Sequence, residues 1–263
     1  MSPVTLITGA ASGLGWALAQ RYFALGHRLV LVDMNEQQLQ ARCQELGEPK
    51  RLMAVTLDLT DSDRLKGLLA DVVLRFGRLD TLINNAGITQ RSLAADTDPA
   101  VLRRVMAVDW QAPVELALAA IPLLRDSRGS IINIGSMAGW MPVLGRAGYC
   151  AAKSALAQSF EVMRVELAGD GIHVLMVYPS FLDTPIEQNA LGHDGKPARH
   201  ARSTTGQMRS ADWMAEKIVD AHAKRRARLF PDRLSSFGSI LWRLWPSLYL
   251  RLMTRRFASE LEQ

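Results

Sequence analysis

The residue pattern with the clearest chemical potential is a tyrosine followed four positions later by a lysine, Tyr149 and Lys153, with Ser136 upstream. Residues four apart share a helix face, so the lysine ammonium can lie beside the tyrosine phenol. A free phenol has a pKa of about 10, but a neighbouring cation favours its charged form. Such a phenol can take a proton from an alcohol or return one to a carbonyl oxygen, and the serine hydroxyl can hold that oxygen in place. The alternative is a surface pair on an amphipathic helix.

A second pattern lies at the amino terminus, where a short apolar run leads into a glycine-rich turn. Glycines allow a tight turn and let backbone amides approach a ligand closely. The helix predicted to follow directs its N-terminal N–H groups and the positive end of its dipole toward the same point. Glycine triplets also occur in ordinary turns, so the strand before and the helix after carry the argument. We predict that this turn binds the pyrophosphate of a dinucleotide through Gly9, Ser12, Gly13, Leu14 and Gly15.

Asp33 ends the second apolar run, 18 residues after Gly15. A carboxylate at this place can accept hydrogen bonds from both hydroxyls of an adenosine ribose. It also repels a 2′-phosphate, and no arginine stands at positions 11, 34 or 35 to bind one. Charge therefore favours NAD over NADP, without excluding NADP. The alternative role for Asp33 is to cap the helix that begins near Asn35.

Short apolar runs alternate with longer amphipathic stretches, and most of the short runs are continuous, as in parallel strands buried on both faces. The predicted strands are Val4–Thr8, Arg28–Val32, Leu52–Leu57, Thr81–Asn84, Ser130–Ile134, His173–Val177 and Arg228–Phe230. The predicted helices are Leu14–Leu25, Glu36–Leu46, Asp61–Phe76, Val101–Leu124, Tyr149–Ala168 and Asp212–Lys224. This alternation predicts an α/β fold, a single-domain Rossmann-like doubly wound parallel sheet with helices on both faces. Its ligand site is expected at the carboxyl ends of the strands.

Taken together, the motifs resemble the short-chain dehydrogenase/reductase family. The resemblance begins at the glycine turn and continues through Asn84–Gly87 after the fourth strand and Ser136 after the fifth. It includes the Tyr-x-x-x-Lys motif and extends to about Thr184. It implies an NAD(P)-dependent oxidoreductase that transfers a hydride between the cofactor and a secondary alcohol or ketone, with Tyr149 as general acid and base. It also implies a homodimer or homotetramer.

The same resemblance implies roles for further residues. The segment after the fourth strand stabilises the sheet and lines the adenosine side, an Asp-Leu pair binds adenine, a threonine holds the nicotinamide carboxamide, and the lysine binds the nicotinamide ribose. The residues implied at the cofactor are Asp58, Leu59, Asn85, Ala86, Gly87, Tyr149, Lys153, Pro179 and Thr184. For Asp58, a turn or N-cap role is the alternative.

Two positions depart from the family pattern. Asp109 stands where an asparagine usually supports a proton relay behind the lysine, and we include it among the candidate catalytic residues. An aspartate lacks the amide donor and is expected to hold Lys153 more firmly, with an altered pH profile. Ser180 stands where glycine usually follows Pro179, and serine resists backbone angles that glycine permits.

The hydrophobic content of 48% allows a large core. The two cysteines fit a reducing, cytoplasmic compartment and give no disulfide framework. The net charge of +5 is concentrated in 224–256, which has nine basic residues and one acid, so no general nucleic-acid surface is expected. We assign 1–234 to a dinucleotide-binding and catalytic domain and 235–263 to an extension of it.

The extension combines apolar and basic residues over 237–256, with a kink predicted at Pro246. It is too short and too charged for a transmembrane helix. It can cover the active site, form an oligomer interface, or lie on a membrane surface with anionic lipids. A mobile lid is predicted over 183–210. Residues 140–143 are expected to form either an apolar substrate wall, which favours a hydrophobic substrate, or ordinary core. The alternative function is a catalytically weak NAD(H)-binding protein with a regulatory or scaffold role.

Overall fold

The computed structural model describes residues 2–198, 208–231 and 233–258, with the backbone alone for 233–235. All seven predicted strands are present, each to within one residue at its ends, and two further strands of two residues each form a separate pair. The strands are β1 Val4–Thr8, β2 Arg28–Asp33, β3 Leu52–Thr56, β4 Thr81–Asn84, β5 Ser130–Ile134, β6 His173–Val177, β7 Leu182–Asp183, β8 Arg209–Ser210 and β9 Arg228–Leu229.

The main sheet has the strand order β3-β2-β1-β4-β5-β6-β9, and every pairing in it is parallel. The order reverses between β1 and β4, so the loops that follow these two strands diverge and leave a crevice at the carboxyl edge. Every residue of β1, β4, β5 and β6 is buried, which is why these segments are continuous apolar runs in the sequence. The predicted doubly wound α/β fold is confirmed.

Helices cover both faces of the sheet and divide the core into two layers. On one face, α3, α5 and α6 pack over the sheet, and α1, α2 and α7 pack on the other. The helices are α1 Gly13–Ala24, α2 Glu36–Leu46, α3 Ser62–Phe76, α4 Pro99–Met106, α5 Ala112–Ser127, α6 Ala147–Glu166, α7 Ala211–Ala223, α8 Arg233–Leu244 and α9 Pro246–Arg256. Asn35, not Asp33, caps α2, because its side chain accepts the Gln38 N–H.

The single helix predicted over Val101–Leu124 is interrupted. A turn of π-helix, Ala107–Gln111, separates α4 from α5. Pro113 has no N–H and therefore cannot bond the carbonyl of Asp109 four residues earlier, which accounts for a wider turn at this point. The π turn carries Asp109 into the interior of the molecule, where its side chain is fully buried.

One helix within the described residues, Pro99–Ser127, is long and apolar enough to cross a membrane by length and composition alone. It packs over the sheet and buries Val105, Leu116 and Leu124 completely or almost so. The core helix of a soluble protein passes the same test of length and composition.

The predicted lid contains β pairings within its described residues. Leu182–Asp183 pairs with Arg209–Ser210, and Leu191 forms bridges with Gln90 and Pro197. Residues 199–207 of the predicted lid lie outside the described residues. The kink predicted at Pro246 is present, because α8 ends at Leu244 and α9 begins at the proline.

Candidate active site

The glycine turn between β1 and α1 has a backbone that side chains would disrupt. Gly9 and Gly13 have φ angles of +65° and +54°, in the left-handed region. A Cβ atom on Gly15 would lie 2.0 Å from the carbonyl oxygen of Gly9. Ser12 begins α1 without forming a side-chain cap, and Leu14 lines the cleft with the turn. The uncapped amides at the start of α1 fit a phosphate group.

The segment after β4 joins the two strands at which the order reverses. Asn85 donates from Nδ2 to the carbonyl oxygens of Thr8 at 2.9 Å and Gly9 at 3.2 Å. The Thr8 hydroxyl in turn accepts the backbone N–H groups of Asn85 and Ala86. Asn85 therefore fixes the floor of the crevice, and Ala86 and Gly87 line it.

Asp33 lies at the carboxyl end of β2, where its side chain lines the cleft beside the glycine turn. One carboxylate oxygen accepts the N–H of Ala11 and the other accepts the N–H of Asn35, both at 3.0 Å. These bonds hold the carboxylate in place and leave lone pairs for a further donor. Sequence reasoning missed Arg42, which donates to the Ala11 carbonyl and stacks over Trp16.

Asp58 and Leu59 line the same end of the cleft. The Asp58 carboxylate accepts the N–H and the hydroxyl of Thr60, and these two bonds lower the pKa of Asp58. Asp58 therefore does form a turn, as its alternative role required, while remaining at the cleft. Asp61, not Asp58, caps α3.

Ser136 and Tyr149 meet at the other end of the cleft. Ser136 is the second residue after the end of β5; its hydroxyl accepts the N–H of Ala138 at 3.1 Å and acts to lower the pKa of the Tyr149 phenol. Tyr149 lies in the first turn of α6, which places its side chain over the end of the sheet. Both residues line the cleft.

Lys153 is buried one helical turn after Tyr149 and has two partners. Its Nζ donates to the carbonyl of Ile134 at 3.1 Å and lies 3.2 Å from an Asp109 oxygen. The other Asp109 oxygen accepts the backbone N–H of Ile88 at 2.8 Å. Lys153 Nζ is also 5.8 Å from the centre of the Tyr149 ring. The expected close pairing of Lys153 with a carboxylate is therefore present in the structure.

Burial and neighbouring charges shift the pKa values of Tyr149 and Lys153. Burial raises the pKa of Tyr149, Asp109 adds to the rise, and Lys153 and Ser136 oppose it. The expected effect of the lysine cation is present, since Lys153 acts to lower the pKa of this phenol, but burial outweighs it and the net pKa is raised. Burial lowers the pKa of Lys153, but Asp109 and Tyr149 outweigh it and raise the net value, so its ammonium stays charged.

The segment that follows β6 forms the part of the cleft wall next to the glycine turn. Pro179 and Thr184 both line the cleft, and the Thr184 side chain lies against Gly13. Ser180 lines the cleft as well and does not adopt a positive φ angle. The glycine usual at this position is therefore not needed here for its conformational freedom.

The cleft has a volume of about 1250 Å³ and continues past Tyr149 to the carboxyl-terminal helices. Of the predicted apolar wall, Met141 and Val143 line the cleft, whereas the Trp140 ring packs edge-on against the Tyr178 and Phe230 rings, 5.3 Å from each. The helices α8 and α9 complete the wall through Phe237, Leu241, Tyr249, Leu252, Met253 and Phe257.

Sequence reasoning also missed a charged residue beside the tyrosine. Arg146 is buried three residues before Tyr149 and donates to Thr89 at 2.7 Å and to Glu187 at 2.8 Å. Arg146 lies in the cleft wall, and its positive charge opposes the rise that burial causes in the pKa of Tyr149. No local motif marks this arginine, because its partners lie 57 and 41 residues away along the chain.

The fold and the cleft together define a class of protein, the dinucleotide-dependent oxidoreductases with a Rossmann-like sheet. The chain belongs to the short-chain dehydrogenase family, because the family model described as "short chain dehydrogenase" matches residues 3–194. It is an NAD(P)-dependent oxidoreductase acting on alcohol or carbonyl groups.

Individual relatives agree with this assignment. The chain is 34% identical over 266 residues to dehydrogenase/reductase SDR family member 7B of Bos taurus, covering 98% of this chain and 82% of that protein. A short-chain dehydrogenase structure from Streptomyces avermitilis is 29% identical with a TM-score of 0.81, covering 98% of this chain and 97% of that one. A Mycobacterium paratuberculosis short-chain dehydrogenase bound to NAD is 30% identical with a TM-score of 0.67, covering 70% and 74%.

Proposed function

We propose that this protein reversibly transfers a hydride between a nicotinamide dinucleotide and a hydrophobic secondary alcohol or ketone, with Tyr149 moving the proton. The observation that supports this most directly is the meeting of Ser136, Tyr149 and Lys153 in a cleft whose other end is the glycine turn. A bound cofactor supplies the hydride donor or acceptor. The chain itself supplies the proton, the position of the substrate oxygen and the walls of the cleft.

Each side chain has a distinct task in this proposal. The Tyr149 phenol gives its proton to the carbonyl oxygen in reduction and takes it back in oxidation. Ser136 holds that oxygen within hydrogen-bond distance of the phenol. Lys153 stabilises the phenolate left behind and binds the nicotinamide ribose, while Asp109 holds Lys153 in place through their 3.2 Å contact.

The residues around the glycine turn fit a dinucleotide. The uncapped start of α1 receives the pyrophosphate, and Asp58 and Leu59 border the adenine. Thr184 is placed beside Gly13 to hold the carboxamide. Asp33 supports a preference for NAD over NADP, since its carboxylate repels a 2′-phosphate.

We further propose that the protein is a cytoplasmic homodimer or homotetramer. The long helices α5 and α6 leave Leu118, Val162 and Val165 more than half exposed, at 51%, 54% and 78%. A second copy can cover these side chains. Light scattering after size-exclusion chromatography tests this, and a monomer at micromolar concentration would contradict it.

The experiment that tests the function is a titration with NADH and NADPH, followed by assays on a panel of aliphatic, aromatic and steroid ketones. Tyr149→Phe is compared with Tyr22→Phe, because Tyr22 lies away from the cleft and bonds His222 at 2.8 Å. We expect tighter binding of NADH, and turnover that is lost only in Tyr149→Phe. Cofactor binding without turnover on the whole panel would contradict the proposed substrate class.

A further inference from the structure

The carboxyl-terminal helices α8 and α9, here called the tail hairpin (residues 233–256), are anchored on one side only. They pack against each other, with the Trp242 and Tyr249 rings 5.6 Å apart. The Tyr249 hydroxyl donates to the carbonyl of Pro142 at 2.9 Å, and Arg243 stacks over Trp140 at 4.2 Å. The tail hairpin is thereby fixed to the loop after β5, at the substrate end of the cleft.

Outside these anchoring contacts, the tail hairpin has an apolar and exposed surface. Phe237, Ile240 and Leu244 recur on α8 at the spacing of one helix face and are 61%, 55% and 60% exposed. Leu248 and Leu252 continue this surface on α9. With neighbouring side chains, the exposed apolar set of the tail hairpin is Phe237, Ile240, Leu244, Trp245, Leu248, Leu250 and Leu252. Such a cluster marks an interaction surface rather than scattered exposed residues.

The charges of the same segment are all positive. The sequence 233–258 contains five arginines and no acidic residue. Arg251 and Arg255 lie one turn apart on α9, both exposed, on the helix face that also carries Leu248 and Leu252. Arginines mixed with apolar and tryptophan side chains are complementary to the headgroups and acyl chains of an anionic lipid surface.

The exposed face of the tail hairpin is less complementary to a second copy of the chain than to an anionic lipid membrane. In a twofold symmetric dimer, each surface meets itself. Two tail hairpins would then bring arginines against arginines with no acid of this segment to pair them, and like charges in contact are unfavourable.

We propose that the tail hairpin docks the protein on an anionic lipid surface. The cleft opens at this surface, because Phe237 and Leu252 both line the cleft and remain exposed, at 61% and 47%. A substrate dissolved in the lipid therefore reaches Tyr149 along an apolar path. This second part rests on the proposed function and assigns the substrate to lipid-soluble alcohols or ketones.

The docking is tested by co-sedimentation with phosphatidylcholine vesicles that contain or lack phosphatidylglycerol. The apolar variant is Leu244→Ser with Trp245→Ser, neither of which lines the cleft. Its matched control is Val73→Ser with Leu74→Ser, another adjacent exposed pair on α3. We expect binding to the anionic vesicles in the wild type and the control, and its loss in the tail variant.

The charge contribution is tested separately with Arg251→Gln and Arg255→Gln. The control, Arg64→Gln with Lys66→Gln, removes the same charge from exposed positions on α3. We expect vesicle affinity to fall about tenfold or more in the tail variant only, since each basic residue near an anionic surface contributes appreciably. Equal affinity of all variants, or equal binding to both vesicle types, would overturn the proposal.

Two further readouts separate the possible failures. If Leu244→Ser with Trp245→Ser dissociates an oligomer in sedimentation velocity and the wild type ignores vesicles, the surface belongs to a second copy and the lipid proposal is wrong. Turnover of a water-soluble ketone is expected to be the same in this variant as in the wild type. Turnover of an apolar ketone presented in anionic vesicles is expected to be faster in the wild type than in this variant. Tyr149→Phe is expected to bind vesicles normally, so loss of its turnover tests the proposed function independently.

Discussion

At the scale of single residues, the proposed preference for NAD over NADP depends on Asp33. Its two oxygens are held by the N–H groups of Ala11 and Asn35, and no basic side chain among the described residues forms an ion pair with it. Arg42 donates to the carbonyl of Ala11 beside this site, but Glu45 lies 2.7 Å from its guanidinium. The Asp33 carboxylate would therefore repel the 2′-phosphate of NADP.

Asp33→Ser is expected to weaken NADH binding roughly 10- to 100-fold, because it removes hydrogen bonds from the ribose to a charged acceptor. NADPH binding should weaken less or improve, since the repulsion is also removed. Fluorescence titration of both cofactors measures this, with the exposed Asp63→Ser as control. An unchanged ratio of the two affinities would show that Asp33 does not select the cofactor.

Asp109 gives this chain a pH dependence that an asparagine would not. Its charge raises the pKa of Tyr149 and holds the ammonium of Lys153. Asp109→Asn removes that charge, so the pKa of the Tyr149 phenol should fall. In alcohol oxidation the phenolate is the active form, so the rising limb of the pH profile should move to lower pH.

The measurement for Asp109→Asn is kcat/KM for oxidation as a function of pH, beside the exposed Asp71→Asn as control. A shift to higher pH, or an equal shift in the control, would contradict the assigned role. A uniform loss of activity without a shift would show that Asp109 is only structural.

At the scale of elements, the glycine turn depends on space as well as on backbone freedom. Gly15→Ala is expected to lower the free energy of unfolding by roughly 1–3 kcal/mol or more, because its Cβ would lie 2.0 Å from the Gly9 carbonyl oxygen. Gly67→Ala is the matched control on α3, where a Cβ meets open space, and should stabilise by roughly 0.5–1 kcal/mol. Urea unfolding measures both, and equal effects would contradict the packing argument.

The elements that sequence could predict are those determined locally. Continuous apolar runs identify the buried strands, and the glycine turn and the Tyr-x-x-x-Lys spacing identify both ends of the cleft. The π turn of Ala107–Gln111 was missed because the helical pattern continues across it, and a proline such as Pro113 is also tolerated in the first turn of an ordinary helix. The partnership of Arg146 with Glu187 was missed because it depends on a loop that the tertiary fold brings back to the cleft.

The role of the carboxyl-terminal segment could be stated only as alternatives. The sequence shows which residues of this segment are apolar, but not which of them face the cleft. The structure divides them: Tyr249 and Met253 pack inward, and Leu244 and Trp245 remain exposed. That division results from the anchor at Pro142, which no sequence pattern predicts.

At the scale of the whole molecule, three histidines lie together at the amino edge of the sheet, opposite the cleft. The His222 ring accepts or donates a bond to Tyr22 at 2.8 Å and stacks on His173 at 6.1 Å, while His27 contacts Thr5 at 2.8 Å. Burial lowers the pKa of His222 to about 4 and also lowers the pKa values of His173 and His27.

This cluster makes stability depend on pH in a defined direction. A histidine of the unfolded chain has a pKa of about 6.5, so between that value and 4 the unfolded state binds more protons than the folded state. The free energy of unfolding should therefore fall as pH drops through this range, by up to about 3 kcal/mol for His222 alone. His222→Gln should reduce this dependence, and His193→Gln, in the loop after β6, should leave it intact. Urea unfolding at pH values from neutral to acid measures it, and a flat profile in the wild type would contradict it.

The central claim is that Tyr149 moves the proton that accompanies hydride transfer. The most direct test is the single-turnover rate of NADH oxidation with a saturating ketone, in the wild type, Tyr149→Phe and Tyr22→Phe. We expect a fall of roughly 10²- to 10⁴-fold in Tyr149→Phe, the usual contribution of a general acid, with NADH affinity little changed. Equal rates in Tyr149→Phe and the wild type would show that another group supplies the proton.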